Sequence, residues 1–245
     1  MPLLVGVIAL LGYREWTESL GYDREWAIQG RQAAIYRAAV EAAALHGGHV
    51  IPASHDIMIA LLNGVPLRAV ESLYKAMSRE SPVPVAIRVT STSRPGWSMP
   101  PLEPGVVFDG EPEEPGSEVA AIHIDMNGVS SERLRKGFIT PFAEVAKLHA
   151  RLVEKALPRG YIPGYLGGDN LVVFAPAEEL EEALELVQRL IDGGGYKLGV
   201  GVAASPREAL ARAAHALSVI RSRRDLSLYI IGPGEKPALR SPGRC

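Results

Sequence analysis

The chain has 245 residues, 47% of them hydrophobic, and a formal net charge of -2. That is enough apolar material for one large domain or two ordinary ones, and the near-neutral balance supplies no basic field for a nucleic acid. Cys245 is the single cysteine, which excludes a disulfide framework, a cysteine-based zinc site and a buried thiol nucleophile.

The first apolar run, LLVGVIALL at 3–11, reads as a buried strand. It is too short to span a bilayer and lacks a basic leader. No later run is long enough either, so a cytoplasmic protein without a membrane partner is expected. A helix follows at 25–47, then a hairpin of HVIPAS and IMIALL around His55 and Asp56. A helix at 66–77 and a strand at 83–91 complete the first half. Residues 93–117 are rich in Pro, Gly and acid and read as a linker.

The second half repeats the order. EVAAIHID at 118–125 is a strand ending on a carboxylate. The helix expected at 140–157 has Thr140 as its cap, Pro141 in its first turn and Phe142, Val145, Leu152 and Ala156 on one face. A hairpin follows, turning at Gly167-Gly168-Asp169-Asn170. The next helix, 177–191, carries Leu180, Leu184, Val187 and Ile191 as its apolar stripe. A strand at 196–204 leads to a helix with Ser205 and Glu208 as a capping box and Pro206 at its first position. A strand at 226–231 closes the chain's pattern. Two runs of β-α-ββ-α-β predict an α/β fold of two related sandwiches: 1–92, a linker at 93–117, and 118–245.

The halves differ where chemistry would sit. The second has Asp125 at the end of its first strand and Asp169 at its hairpin tip. The first has Leu11 in place of the strand aspartate and keeps only Asp56, read as a turn residue. The second half is therefore expected to carry the site and the first to support it. In a β-α-ββ unit the first strand lies beside the hairpin, so the two carboxylates meet at one sheet edge. Two close carboxylates repel unless a cation neutralises them. Mg²⁺ suits them, because it takes hard oxygen ligands and shares them with substrate phosphates. Gly167 and Gly168 permit unusual dihedrals and let a polyanion approach the backbone. By strand alternation His123 shares a face with Asp125, a face expected to be open to ligand. Asn127 offers a donor and an acceptor for a purine edge, and Arg221 a bidentate grip on phosphate. His149 and His215 read as structural or exposed.

AAIHIDMNGV, GYLGGDNLVVFAP and LGVGVAASPREALARAAHAL together resemble archaeal GTP cyclohydrolase III, the IIa type, as do VIALLGYREWT, REWAIQGRQAAIY and DIMIALLNG in the first half. The resemblance covers almost the whole chain. It implies tandem palm-like domains, as in nucleotidyl cyclases and GGDEF proteins, and a homo-oligomer, dimer or tetramer. It implies a Mg²⁺-dependent enzyme, activated by K⁺-like ions, that takes GTP. The enzyme would open the imidazole ring and release two phosphates. The product would be 2-amino-5-formylamino-6-ribosylamino-4(3H)-pyrimidinone 5′-phosphate, which feeds flavin and deazaflavin synthesis. Carried over by position, Asp125 and Asp169 hold metal with the Met126 carbonyl as a third ligand. Gly167, Gly168 and Asn170 complete the turn, and Arg221 replaces a basic residue that is commonly lysine. Leu11 and Ile57 depart from the family's acid and polar residues. If the first half supplies substrate contacts, they would run through Trp16, Arg24 or Gln32. No Cys–His zinc set is visible, so water at C8 falls to Mg²⁺ or to a side chain such as His123. The GGDN turn alone would also suit a nucleotidyl cyclase, and the eroded first half would suit a nucleotide-binding module without turnover.

Overall fold

The computed structural model describes residues 2–110, 118–126, 137, 139–191, 195–223 and 225–234. It falls into two compact units. In the first, a continuous apolar run makes β1 (Leu4–Leu10), buried on both faces and followed by a short helix α1 (Tyr13–Ser19) and the long α2 (Glu25–Leu45). The hairpin β2 (His49–Pro52) and β3 (Ile57–Leu61), helix α3 (Leu67–Glu80) and strands β4 (Val85–Ser91) and β5 (Gly105–Phe108) complete it. The second unit runs β6 (Val119–Met126), α4 (Ile139–Ala156), β7 (Ile162–Gly167), β8 (Asn170–Pro176), α5 (Leu180–Leu190), β9 (Tyr196–Ala203), α6 (Pro206–Ser222) and β10 (Leu228–Ile231).

The two sheets share one topology. Their strand orders are β2-β3-β1-β4-β5 and β7-β8-β6-β9-β10. Within each, the inner pairs are antiparallel and the last strand joins in parallel. One face of each sheet packs on two helices. Ile8, Leu10, Ile35, Leu73, Met77 and Ile87 fill the first core, and Ile122, Ile124, Leu148, Leu152, Val187 and Val200 the second. Among the described residues no helix is long and apolar enough to cross a membrane.

Several expectations are corrected. The stretch read as a linker contributes β5, which pairs with β4 through Ala86–Val89. The Arg88 guanidinium binds Asp109 at 2.8 Å just past that strand and, through this hydrogen bond above all, holds its carboxyl below the usual range. Thr140 lies inside α4, which starts at Ile139, so it is not the cap. Phe142 is exposed. The buried stripe runs through Pro141, Val145, Leu148, Leu152 and Ala156, spaced at helical intervals that leave Phe142 off the seam. Ser205 does cap α6, its hydroxyl accepting from the Glu208 amide at 3.4 Å. The Glu208 carboxylate turns to Arg212 instead of closing the box.

The units differ in the parallel crossover. Between β9 and β10 the chain forms α6, whereas residues 92–104 make only turns and bends between β4 and β5. The cause lies in the strands beneath. On β9, Gly199 and Gly201 sit under α6 so closely that an added Cβ would lie 2.2 Å from the Ala213 carbonyl oxygen and 2.1 Å from that of Ala209. Gly199 faces His123 and Gly201 faces Ala121. In the first unit the same register positions, opposite Val7 and Val5, hold Arg88 and Thr90. Those side chains fill the space a helix would need.

One pH effect arises from the first unit. Burial lowers the His49 imidazole to about 4 from 6.5. Between those values the unfolded chain binds more protons than the folded one, so stability falls as pH drops through that window. A loss of about 1–2 kcal/mol between neutral pH and about pH 5 is expected from this group. Urea unfolding at the two pH values checks it, because His49→Asn should flatten the slope.

Candidate functional site

The end of β6 organises the second unit's site. β8 and β9 flank it, and Asp125 stands opposite Asn170 on one side and Lys197 on the other. Residues paired across antiparallel strands share a face, so Lys197 joins Asp125 there. This lysine was missed in the sequence. The signal was the register, one position into β9. His123, two residues back, faces Val172 and Gly199. The face is not open, as its alternation suggested, because α6 packs along β9 and β6 on this side. The two glycines that allow it lie on the neighbouring strand, where a reading of β6 alone does not reach. Asp125 is accordingly buried, at 8% exposure.

The hairpin tip is fastened to this strand end. Gly167 (φ 107°) and Gly168 (φ 63°) take left-handed conformations, which side chains with a Cβ rarely adopt. A register shift between Tyr165 and Gly167 lets the strand turn out. The Met126 amide then donates to the Asp169 carbonyl oxygen at 3.3 Å. The Asn170 Nδ2 donates to Asp169 Oδ1 at 3.0 Å and to the Gly167 carbonyl at 3.4 Å. Its Oδ1 meets His123 Nε2 at 3.0 Å. With the amide nitrogen spent on oxygens, that contact requires the proton on Nε2. Nδ1 is buried without a hydrogen-bond partner. Burial, foremost, holds the imidazole below its ordinary pKa. His123 is thus a neutral donor that orients Asn170, and Asn170 in turn holds the Asp169 carboxylate.

Arg221 comes from the last turn of α6. Its Nη2 donates to Asp125 Oδ2 at 3.0 Å. Asp125, Asp169, Asn170, His123 and Arg221 are therefore brought together, with Gly167, Gly168 and Met126 shaping the tip. Asn127 lies outside the described residues. His149 stands beside Tyr165, with ring centroids 6.3 Å apart, and His215 is exposed.

The first unit repeats the hairpin attachment. Its Leu10 amide donates to the Asp56 carbonyl at 3.0 Å, as Met126 does to Asp169. Ala9 pairs with Ile57 there, so Ala9, not Leu11, is the structural counterpart of Asp125. Leu11 lies two residues further, past the strand end. Of the other first-half candidates, Trp16 packs against Tyr13 at 5.5 Å between centroids, and Gln32 donates to the Tyr13 hydroxyl. Arg24 donates to the Thr17 carbonyl at 2.8 Å. Gln32 and Glu25 line a cleft of about 530 Å³ between α2 and the β2–β3 hairpin, with Tyr36 and His55.

The donor set can be tested against a metal. Among the described residues no cluster of three or more His, Cys, Asp or Glu side chains is placed to hold an ion. Two carboxylates and a backbone carbonyl at one strand end are a hard, incomplete oxygen set. This fits Mg²⁺, which is commonly bound by one or two carboxylates, with water and substrate phosphate completing its shell. Asp125, Asp169 and the Met126 carbonyl are the residues that would hold it.

The family described as GTP cyclohydrolase III matches residues 5–99 and 107–231. A GTP cyclohydrolase III of Aeropyrum pernix is 35% identical over 227 residues, 89% of this chain and 92% of that protein. One from Sulfurisphaera tokodaii is 32% identical over 228 residues, 91% and 96% of the two chains. Among solved structures, the GGDEF domain of PA1120 from Pseudomonas aeruginosa is 19% identical, with a TM-score of 0.38, covering 46% of this chain and 82% of its own. A bacterial light-regulated adenylyl cyclase is 12% identical at a TM-score of 0.38, covering 94% and 85%.

Proposed function

The chain belongs to the GTP cyclohydrolase III family, and from that premise we propose that it hydrolyses the imidazole ring of GTP at the β6 end and the β7–β8 hairpin tip. C8 is retained as a formyl group and two phosphates are released. The observation that carries this reading is that the hairpin tip bearing Asp169 is hydrogen-bonded to the end of β6, where Arg221 pairs with the neighbouring Asp125. A pair of carboxylates with a cation at their rim suits a metal-bound triphosphate and not an apolar ligand.

Mg²⁺, when bound, would neutralise phosphate charge as a Lewis acid. The chain's own residues do the rest. Asp125 and Asp169 supply fixed negative charge, and the second is held in place through Asn170 and His123. Arg221 and Lys197 supply positive charge for phosphate oxygens. His123 already gives its Nε2 proton to Asn170, so its work is to position that residue and not to take a proton from water. The same reading includes activation by K⁺-like ions, a homo-oligomer and a cytoplasmic setting.

The test is an ultraviolet time course with GTP and Mg²⁺ beside assays for phosphate and pyrophosphate. Loss of the guanine absorbance as phosphate accumulates is the expected outcome. An intact guanine chromophore with pyrophosphate release would point to nucleotidyl transfer. Tight GTP binding with neither change would leave a binding protein.

A further inference from the structure

We propose that Arg221 is a movable counter-ion that occupies Asp125 in the metal-free protein and moves to the triphosphate when metal enters. Metal and polyphosphate then load together instead of independently. This rests on the reading of Asp125 as a metal ligand.

The argument starts from burial. The Asp125 side chain is 11% exposed, and a carboxylate so far from water needs a compensating charge. The Arg221 guanidinium supplies it at 3.0 Å. A divalent cation on the same oxygen would stand against that guanidinium, and two cations sharing one small site repel. One of them must leave.

Arg221 is built to be the one that leaves. Its side chain is 55% exposed, and it sits in the last turn of α6, where little packing confines it. A single nitrogen, Nη2, makes the bond to Asp125. The fork geometry of a guanidinium suits two oxygens of a phosphate better than one oxygen of a carboxylate. Arg212, about two and a half turns earlier on the same helix, is the contrast. It is buried and tied to the Val202 and Gly232 carbonyls and to Glu208, so it cannot swing.

Linkage makes the consequence quantitative. If the triphosphate takes Arg221 away, it raises the site's metal affinity, and metal raises triphosphate affinity by the same factor. An empty protein would then hold metal weakly, and a nucleotide arriving without metal would find Arg221 still engaged.

The experiment is a titration of the full chain with Mn²⁺ alone, read by the spin-resonance signal of free ion, for the parent, Arg221→Met and Asp125→Asn. Arg221→Met is expected to bind Mn²⁺ about tenfold more tightly than the parent, and Asp125→Asn to lose the site. Thermal melts give a second readout, because Mn²⁺ should raise the melting temperature of Arg221→Met more than that of the parent. Equal or weaker Mn²⁺ binding by Arg221→Met, with the site still lost in Asp125→Asn, overturns the counter-ion exchange alone. Unchanged binding in Asp125→Asn overturns it together with the metal assignment beneath it.

Discussion

Asp125→Ala and Asp169→Ala should each lower Mg²⁺-dependent GTP turnover by about 10³-fold or more, a loss of about 4 kcal/mol of transition-state stabilisation. Each removes one of the two charged oxygen donors that the metal would use, and no neighbouring carboxylate is placed to replace it among the described residues. The fold should survive both changes. Removing Asp125 leaves the Arg221 guanidinium without this partner, but it is exposed enough for water to solvate it. Removing Asp169 costs one hydrogen bond from Asn170 and leaves the backbone bond from Met126 in place. Steady-state kinetics beside circular dichroism checks the pair. Near-parental turnover in both variants would place the metal elsewhere.

The largest expected effect on stability comes from Gly201→Val. A Cβ there would lie 2.1 Å from the Ala209 carbonyl oxygen and 2.5 Å from the Ala213 nitrogen. Both are helix backbone atoms, so α6 as a whole must lift from the sheet. Overpacking of this kind costs about 3 kcal/mol or more. The damage should reach function, since a lifted α6 carries Arg221 away from Asp125. Gly30→Ala is the matched control. Its Cβ would meet nothing within 4 Å, and in a helix interior that change should stabilise by about 0.5–1 kcal/mol. Denaturant unfolding of the two variants separates local crowding from a general intolerance of glycine replacement.

Much of this arrangement could be read from residue order. The aspartate pair, the glycine turn and Arg221 were legible because each sits at an element's end, where polar residues interrupt apolar runs. What escaped notice depended on neighbours in space. β5 is four residues long and set among Pro, Gly and acid; only its partner β4 and the Arg88–Asp109 pair make it a strand. His123 and Asp125 alternate with isoleucines as on a half-exposed strand, and the glycines of β9 decide that a helix covers them. The Ala9 correspondence with Asp125 needed the hairpin register, because counting along the sequence lands on Leu11. The partner of Arg221 also required the fold, since nothing in the helix itself distinguishes a phosphate contact from a pair with Asp125.

The matching strand orders let the two units be compared position by position. Ala9 stands for Asp125, Ala86 for Lys197, and Arg88 and Thr90 for Gly199 and Gly201. These differences fall on one face of one sheet, while the opposite face keeps its packed core. They are physically coupled, because they share one face. An aspartate placed at position 9 would enter a site only 5% exposed, with no α6 counterpart among the described residues of the first unit to bring it an arginine. A helix could not pack on this face unless both Arg88 and Thr90 gave way. Neither an aspartate nor a covering helix placed alone in the first unit would therefore rebuild the arrangement at the β6 end; the changes are coupled through one face and would have to come together.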